Sequence, residues 1–391
     1  MVFIFHIVSP ANTAIVQPTP VSTASASGIY ISSEAAGQPD NYLISRLDLT
    51  SHRIIWSKPI GTLTSSIVVQ ENTVYVSAIA GPYGKHDYND VYAFDATNGT
   101  LRWQSTVSQA LDNKLTTPAV SGDTVYVLSQ DGTVSALSTS KGKLLWSYKT
   151  KTLYNPGDVT VANGIVYATV RTGLFAINAT SGKLVWSQQT DPTQILVSPD
   201  AVGNSVYLAS YSVPPHQTGI AHSGLVYSYD AKSGTLNWQH PIDDWVGTPT
   251  IVNGIVYAGS YDTNLYALKA SDGSELWHYT TGGQIFASPL VSNNVVYVEA
   301  SGNATIDQPS TVNPALFAID ATKGTKLWSQ QLDMTPETIQ DGVIYGSVFP
   351  RAVYALKASD GSTIWHQQYG PDLIDKLGNH SGAPPEITVI P

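Results

Sequence analysis

The chain has 391 residues, of which 42% are hydrophobic, 10% aromatic and only 12% charged, and its 29 Asp and Glu against 19 Lys and Arg give a formal net charge of −10. That charged share is about half of an average domain's, and with no cluster of Lys or Arg it excludes a nucleic-acid binder and docking on an anionic membrane, both of which need concentrated basic surface. The absence of cysteine excludes disulfides and thiolate chemistry but suits reducing and oxidising compartments alike.

Residues 1–27, rich in Ser, Thr, Ala and Pro, read as a linker or an irregular N-terminal edge. The apolar start, residues 1–8, lacks a basic flank and is too short for a signal peptide or a membrane span. From there a repeat runs over residues 28–370. A glycine is followed four positions later by a tryptophan in Gly99/Trp103, Gly142/Trp146, Gly182/Trp186, Gly234/Trp238, Gly273/Trp277, Gly324/Trp328 and Gly361/Trp365. The spacing of roughly 37 to 52 residues is that of one propeller blade. Trp56 fits the series with His52 in the glycine's place, so eight docking tryptophans predict eight blades in one body.

The sixth repeat predicts four strands, at 248–252 behind a proline, 255–259 after the Asn253-Gly254 turn, 265–269, and one holding Trp277. The docking-hairpin glycine is expected at positive φ. Six residues before it a small residue recurs (Ala93, Ala136, Ala176, Ser228, Ala267, Ala318, Ala355), which lets the next blade approach. The tryptophan supplies a flat apolar seam whose N–H reaches a neighbouring carbonyl. A tyrosine recurs on the second strand, at Tyr30, Tyr75, Tyr126, Tyr167, Tyr207, Tyr257, Tyr297 and Tyr345.

Segments such as AFDATNGTLRW from Ala93, AINATSGKLVW from Ala176 and AIDATKGTKLW from Ala318 resemble the pyrroloquinoline-quinone-type (PQQ-like) propeller repeat over most of the chain. No repeat tryptophan is followed by Asp, which separates the chain from WD-repeat propellers. The resemblance implies an all-β, eight-bladed β-propeller of four-stranded antiparallel blades. It is similar to quinoprotein dehydrogenases and to the eight-bladed lipoprotein of the outer-membrane β-barrel assembly machine, so fold alone leaves function open.

A ring must pair its first and last blades. GAPPEITVIP, within the tail at residues 371–391, resembles the opening strand of a repeat, and Ile387 to Ile390 are expected to supply the innermost strand of the first blade or to add to a terminal edge; the competing source of the innermost strand is Pro20 and Val21.

Three loops between second and third strands are enlarged, in blades two (from Ala78), five (from Ser210) and seven (from Ala300). These loops and those entering each first strand share one face, where such growth builds a binding surface. The ninth tryptophan, Trp245, follows Asp243 and Asp244 on that face and can stack a flat ligand while the acids accept hydrogen bonds. His86, Asp87, Tyr88, Asp90, His216 and His222 are further ligand-binding candidates in the enlarged loops. The six-residue separation of His216 and His222 matches no zinc spacing, so no metal site is expected. The sequence carries no nucleophile motif or phosphate loop, and no catalytic residue is assigned.

What the resemblance implies for a quinone enzyme is a channel tryptophan, a calcium held by Glu, Asn and Asp, and a disulfide between adjacent cysteines. Trp245 imitates the first, the calcium set has no defined match, the disulfide is impossible, and only Arg171 or Arg351 offers a cofactor contact. The expectation is therefore a non-catalytic, monomeric, extracytoplasmic scaffold without a cofactor, binding a protein or glycan through its loop-rich face, its export signal not present in this chain. The alternatives are a dehydrogenase-like enzyme using pyrroloquinoline quinone with calcium, and a sensor or ligand domain of a larger protein.

Overall fold

A computed structural model describes residues 27–34, 42–80, 88–108, 114–150, 156–212, 223–302, 312–348, 352–369 and 387–390. Among these every regular element is a strand, and all strand pairs are antiparallel. The strands group into four-stranded blades of a β-propeller, the fifth with an additional short strand, Gln194–Leu196, that pairs with Ser205–Ser212 beside Asp200–Val202. In the sixth, Thr250–Val252, Ile255–Gly259, Asn264–Lys269 and Glu275–Thr280 pair in chain order. The first strand begins two residues later than the sequence suggests, because Thr248 and Pro249 belong to the approach and Pro has no N–H for the ladder. Asn253 and Gly254 turn with φ of 50° and 77°, the double positive φ of a type I′ hairpin.

The innermost strands are Ile387–Ile390, Val68–Gln70, Ala119–Ser121, Pro156–Ala162, Asp200–Val202, Thr250–Val252, Leu290–Ser292 and Met334–Gln340, one for each of eight blades. Ile387–Ile390 pairs with Gly28–Glu34, so the C-terminal strand is the inner strand of the first blade. Thr388 Oγ1 donates to the Ile67 carbonyl of blade two at 2.8 Å, and the Ile387 N–H donates to Glu337 of blade eight at 2.6 Å. Pro20 and Val21 lie outside the described residues.

The seams explain the repeat. Seven indole N–H groups, those of Trp56, Trp103, Trp146, Trp186, Trp238, Trp277 and Trp328, donate at 2.6–3.1 Å to a carbonyl of the following blade. In six seams the second-strand tyrosine donates to the same carbonyl; Tyr207 and Trp238 both reach Ala270 O. The following blade's hairpin glycine lies against that indole. At Gly234, with φ of 73°, an added Cβ would stand 2.6 Å from Trp186. The glycine is thus required twice, by conformation and by space.

Blade one departs from the repeat at two positions. Arg46 takes the place of the small residue and donates to Thr97 O at 2.8 Å and Ser27 O at 2.6 Å. His52, at φ 56°, takes the place of the glycine, and its ring lies 4.1 Å from that of Trp365. Tyr345 and Trp365 are correspondingly 6.5 Å apart, where other blades hold the pair at 5.9–6.1 Å. A side chain in the glycine's place displaces the indole.

Candidate functional site

Both hairpins of each blade turn on one face of the ring, so the loops from second to third strand and the links between blades share the other. On that second face Trp245 anchors an aromatic arc across blades five to seven. Its ring centroid lies 5.1 Å from Tyr211, at the end of Ser205–Ser212, and 5.1 Å from Tyr261, in the following blade's loop; Tyr261 meets Phe286 edge-on at 4.1 Å. All four side chains are half-buried.

The arc rests on a tight base. The Tyr261 N–H donates to Trp245 O at 2.9 Å, and the Trp245 N–H to Asp244 Oδ1 at 2.7 Å. A Cβ at Gly224 would meet Asp244 O at 2.4 Å, and one at Gly259 would meet Ile285 at 2.2 Å, so the links pack directly on strand backbone. The Trp245 indole N–H donates to Ser212 O at 2.9 Å, tying the arc to the stem of the enlarged blade-five loop. That stem is closed by reciprocal Ser212 and Ser223 hydrogen bonds at 2.8 Å and braced by Gln194, which accepts from Ser210 Oγ at 2.6 Å.

Burial raises the phenol pKa of Tyr211 and Tyr261, and Tyr211 and Asp244 push Tyr261 further in the same direction. Both phenols are therefore neutral donors over the physiological range. Asp243 is exposed and Asp244 half-buried beside them. Among the described residues of this face in blades five to seven, the loops and links carry Asp243, Asp244, Asp262 and Asp333 and no Lys, Arg or His. The surface offers aromatic contact, hydroxyl donors and negative charge.

The other candidates do not join it. His86, Asp87, His216, His222 and Arg351 lie outside the described residues. Tyr88 is 43% exposed on the strand Tyr88–Asp95. Asp90 is not a loop residue: it lies in the same strand, 1% exposed, where it accepts from the Gln104 amide. Arg171 is exposed at the turn before Gly173–Asn178. Among the described residues no three His, Asp or Glu side chains converge as a cation site. The Trp245 ring meets two tyrosines at tilted angles and its N–H is taken by Ser212 O, and among the described residues no acidic set stands beside it to hold the calcium that a quinone of this kind requires. Tyr211, Tyr261 and Phe286 were missed by the sequence reading; the one available signal was Tyr211, an extra tyrosine four residues after the repeat's Tyr207.

A sequence model of the family described as outer membrane protein assembly factor BamB matches residues 40–195 and 222–368. The tetrathionate hydrolase of Acidithiobacillus ferrooxidans is 26% identical over 53% of this chain, and the alignment spans only 36% of that enzyme. The outer membrane protein assembly factor BamB of Moranella endobia is 23% identical over 78% of this chain and 68% of its own length. The crystal structure of BamB from Moraxella catarrhalis superposes with a TM-score of 0.56 at 16% identity, covering 86% of this chain and 98% of that one, a likeness of fold.

Proposed function

The chain belongs to the outer membrane protein assembly factor BamB family, and we propose that it is a non-catalytic scaffold that works outside the cytoplasm and binds a protein partner of an outer-membrane assembly complex. The observation that carries the reading is the aromatic arc of Tyr211, Trp245, Tyr261 and Phe286, joined by the Trp245 N–H to the stem of an enlarged loop. Half-buried aromatics on a stiff base are the residues that dominate protein interfaces, because they add contact area with little entropy to lose. The surrounding carboxylates favour a partner segment carrying Lys or Arg and steer its approach. Among the described residues no set of three acidic or histidine side chains converges to hold a calcium, and the tetrathionate hydrolase shares only part of its length with this chain.

Tyr261→Ala is expected to weaken binding to the protein that co-purifies with the tagged chain by about tenfold or more. Lys141→Ala, on the opposite face, should leave the affinity within about twofold. Titration by interferometry checks both, and equal affinities for wild type and Tyr261→Ala would overturn the assignment of this face.

A further inference from the structure

Four carboxyls are buried among the described residues, Asp90, Asp158, Asp200 and Glu299, at 1%, 6%, 5% and 4% exposure. Two of them stand where other blades place a hydroxyl donor. Asp200 is paired with Tyr207 as Thr250 is with Tyr257 and Thr388 with Tyr30. Those threonines donate across the seam to an inner carbonyl of the next blade, Thr250 to Pro289 at 2.6 Å and Thr388 to Ile67 at 2.8 Å. The Asp200 carboxyl accepts from the Ala201 N–H, and the register puts the Pro249 carbonyl in the place that Pro289 O has for Thr250. Glu299 stands two residues after Tyr297, as Ser77 stands two after Tyr75, and Ser77 Oγ donates to Thr116 O of the next blade at 2.9 Å. What Glu299 meets from the next blade is the Asp333 carboxylate, while Ser301 Oγ donates to it at 2.7 Å.

A carboxylate has no proton to donate; a carboxylic acid does. We propose that Asp200 and Glu299 are held as neutral acids that donate across the seams between blades five and six and between blades seven and eight, so that the ring tightens in acid and loosens towards neutrality.

Among the described residues the surroundings supply no cation. The ionisable groups on strands packed against Asp200–Val202 are Asp158, on Pro156–Ala162, and Tyr207 and Tyr211, on Ser205–Ser212; Thr250–Val252 has none. Around Glu299 they are Tyr297 on its own strand, Asp320 on Ala315–Asp320 and Glu337 on Met334–Gln340, together with Asp333; Leu290–Ser292 has none. Burial pushes Asp200 up to about 6 and Glu299 up to about 7, with Asp333 adding to the second. Both groups keep their protons in the fold at a pH where the unfolded chain has lost them. Their contribution is therefore full below the unfolded carboxyl range, near pH 4, and is lost as pH rises through about 6 and 7.

Melting of the whole chain at about pH 5 and about pH 8 tests this against Asp200→Thr/Glu299→Ser, which installs the donors used by the other blades. The wild type should melt several degrees (~5 °C) lower at the higher pH, and the double variant should lose the share that comes from Asp200 and Glu299 while keeping that of Asp158, which burial also raises to about 7. Parallel profiles would overturn the proposal. Infrared spectra supply a second test: at about pH 5.5, where ordinary carboxyls are ionised, the chain should show a protonated-carboxyl band that fades by about pH 8, and Asp158→Asn, which removes the other described carboxyl that burial raises to about 7, should keep that band. A spectrum without that band overturns it equally.

Discussion

Trp238→Ala is expected to cost about 3–5 kcal/mol, the range for deleting a large core aromatic. Trp238 is 9% exposed, its N–H donates to Ala270 O at 2.9 Å, its ring meets Tyr207 at 6.0 Å, and Gly273 of the next blade lies on its face. Removing it opens a cavity at the seam between blades five and six and takes away one of the two donors that hold Ala270. Trp365→Ala should cost less, about 1–2 kcal/mol, because Trp365 is half-exposed and its partner in the glycine's place is the His52 ring. Urea denaturation followed by circular dichroism ranks the two; equal midpoints would mean that the seams are not held as described. Because each blade contacts only its neighbours, a broadened transition in Trp238→Ala would itself report local opening.

The second large effect is expected at Gly234. Gly234→Ala adds a Cβ 2.6 Å from Trp186 Cδ2 at a φ of 73°, so the variant carries both an overpacked seam and a left-handed backbone strained for alanine. Together these should destabilise by about 2–4 kcal/mol. His52→Gly is the complementary experiment. It relieves a non-glycine residue at φ 56° but gives up the contact with Trp365, so the stability should stay within about 1 kcal/mol of wild type. If Gly234→Ala were as mild as His52→Gly, close approach of hairpin to indole would not be what selects glycine in this repeat.

These contrasts mark how far the sequence could be read. Tryptophan, glycine and tyrosine recur because each blade repeats one environment, so Trp186 was legible as a seam residue, Gly234 as a hairpin glycine, Tyr167 as a repeating second-strand position, and Ile387 to Ile390 as a blade's first strand. The exceptions in blade one were visible as letters, but the consequence of His52, a displaced Trp365, depends on the geometry of the eighth seam. Trp245 stood out as a tryptophan outside the series. Its companions did not, because Tyr211, Tyr261 and Phe286 come from separate blades and meet only when the ring is built. Asp90 read as a loop acid because the strand Tyr88–Asp95 begins earlier than the loop-rich composition suggests. Asp200 and Glu299 gave no signal, since only register reveals that each occupies a hydroxyl's position.

The central claim is that the face carrying the arc, and not the hairpin face, meets a protein. A photo-crosslinking side chain placed at the exposed position of Asp243, and in a second variant at that of Ser181 on the opposite face, tests it in cells that make the chain naturally. The account predicts discrete protein adducts from position 243 that Tyr261→Ala abolishes, and none from position 181. Adducts from position 181 alone, or adducts from 243 that survive Tyr261→Ala unchanged, would contradict it.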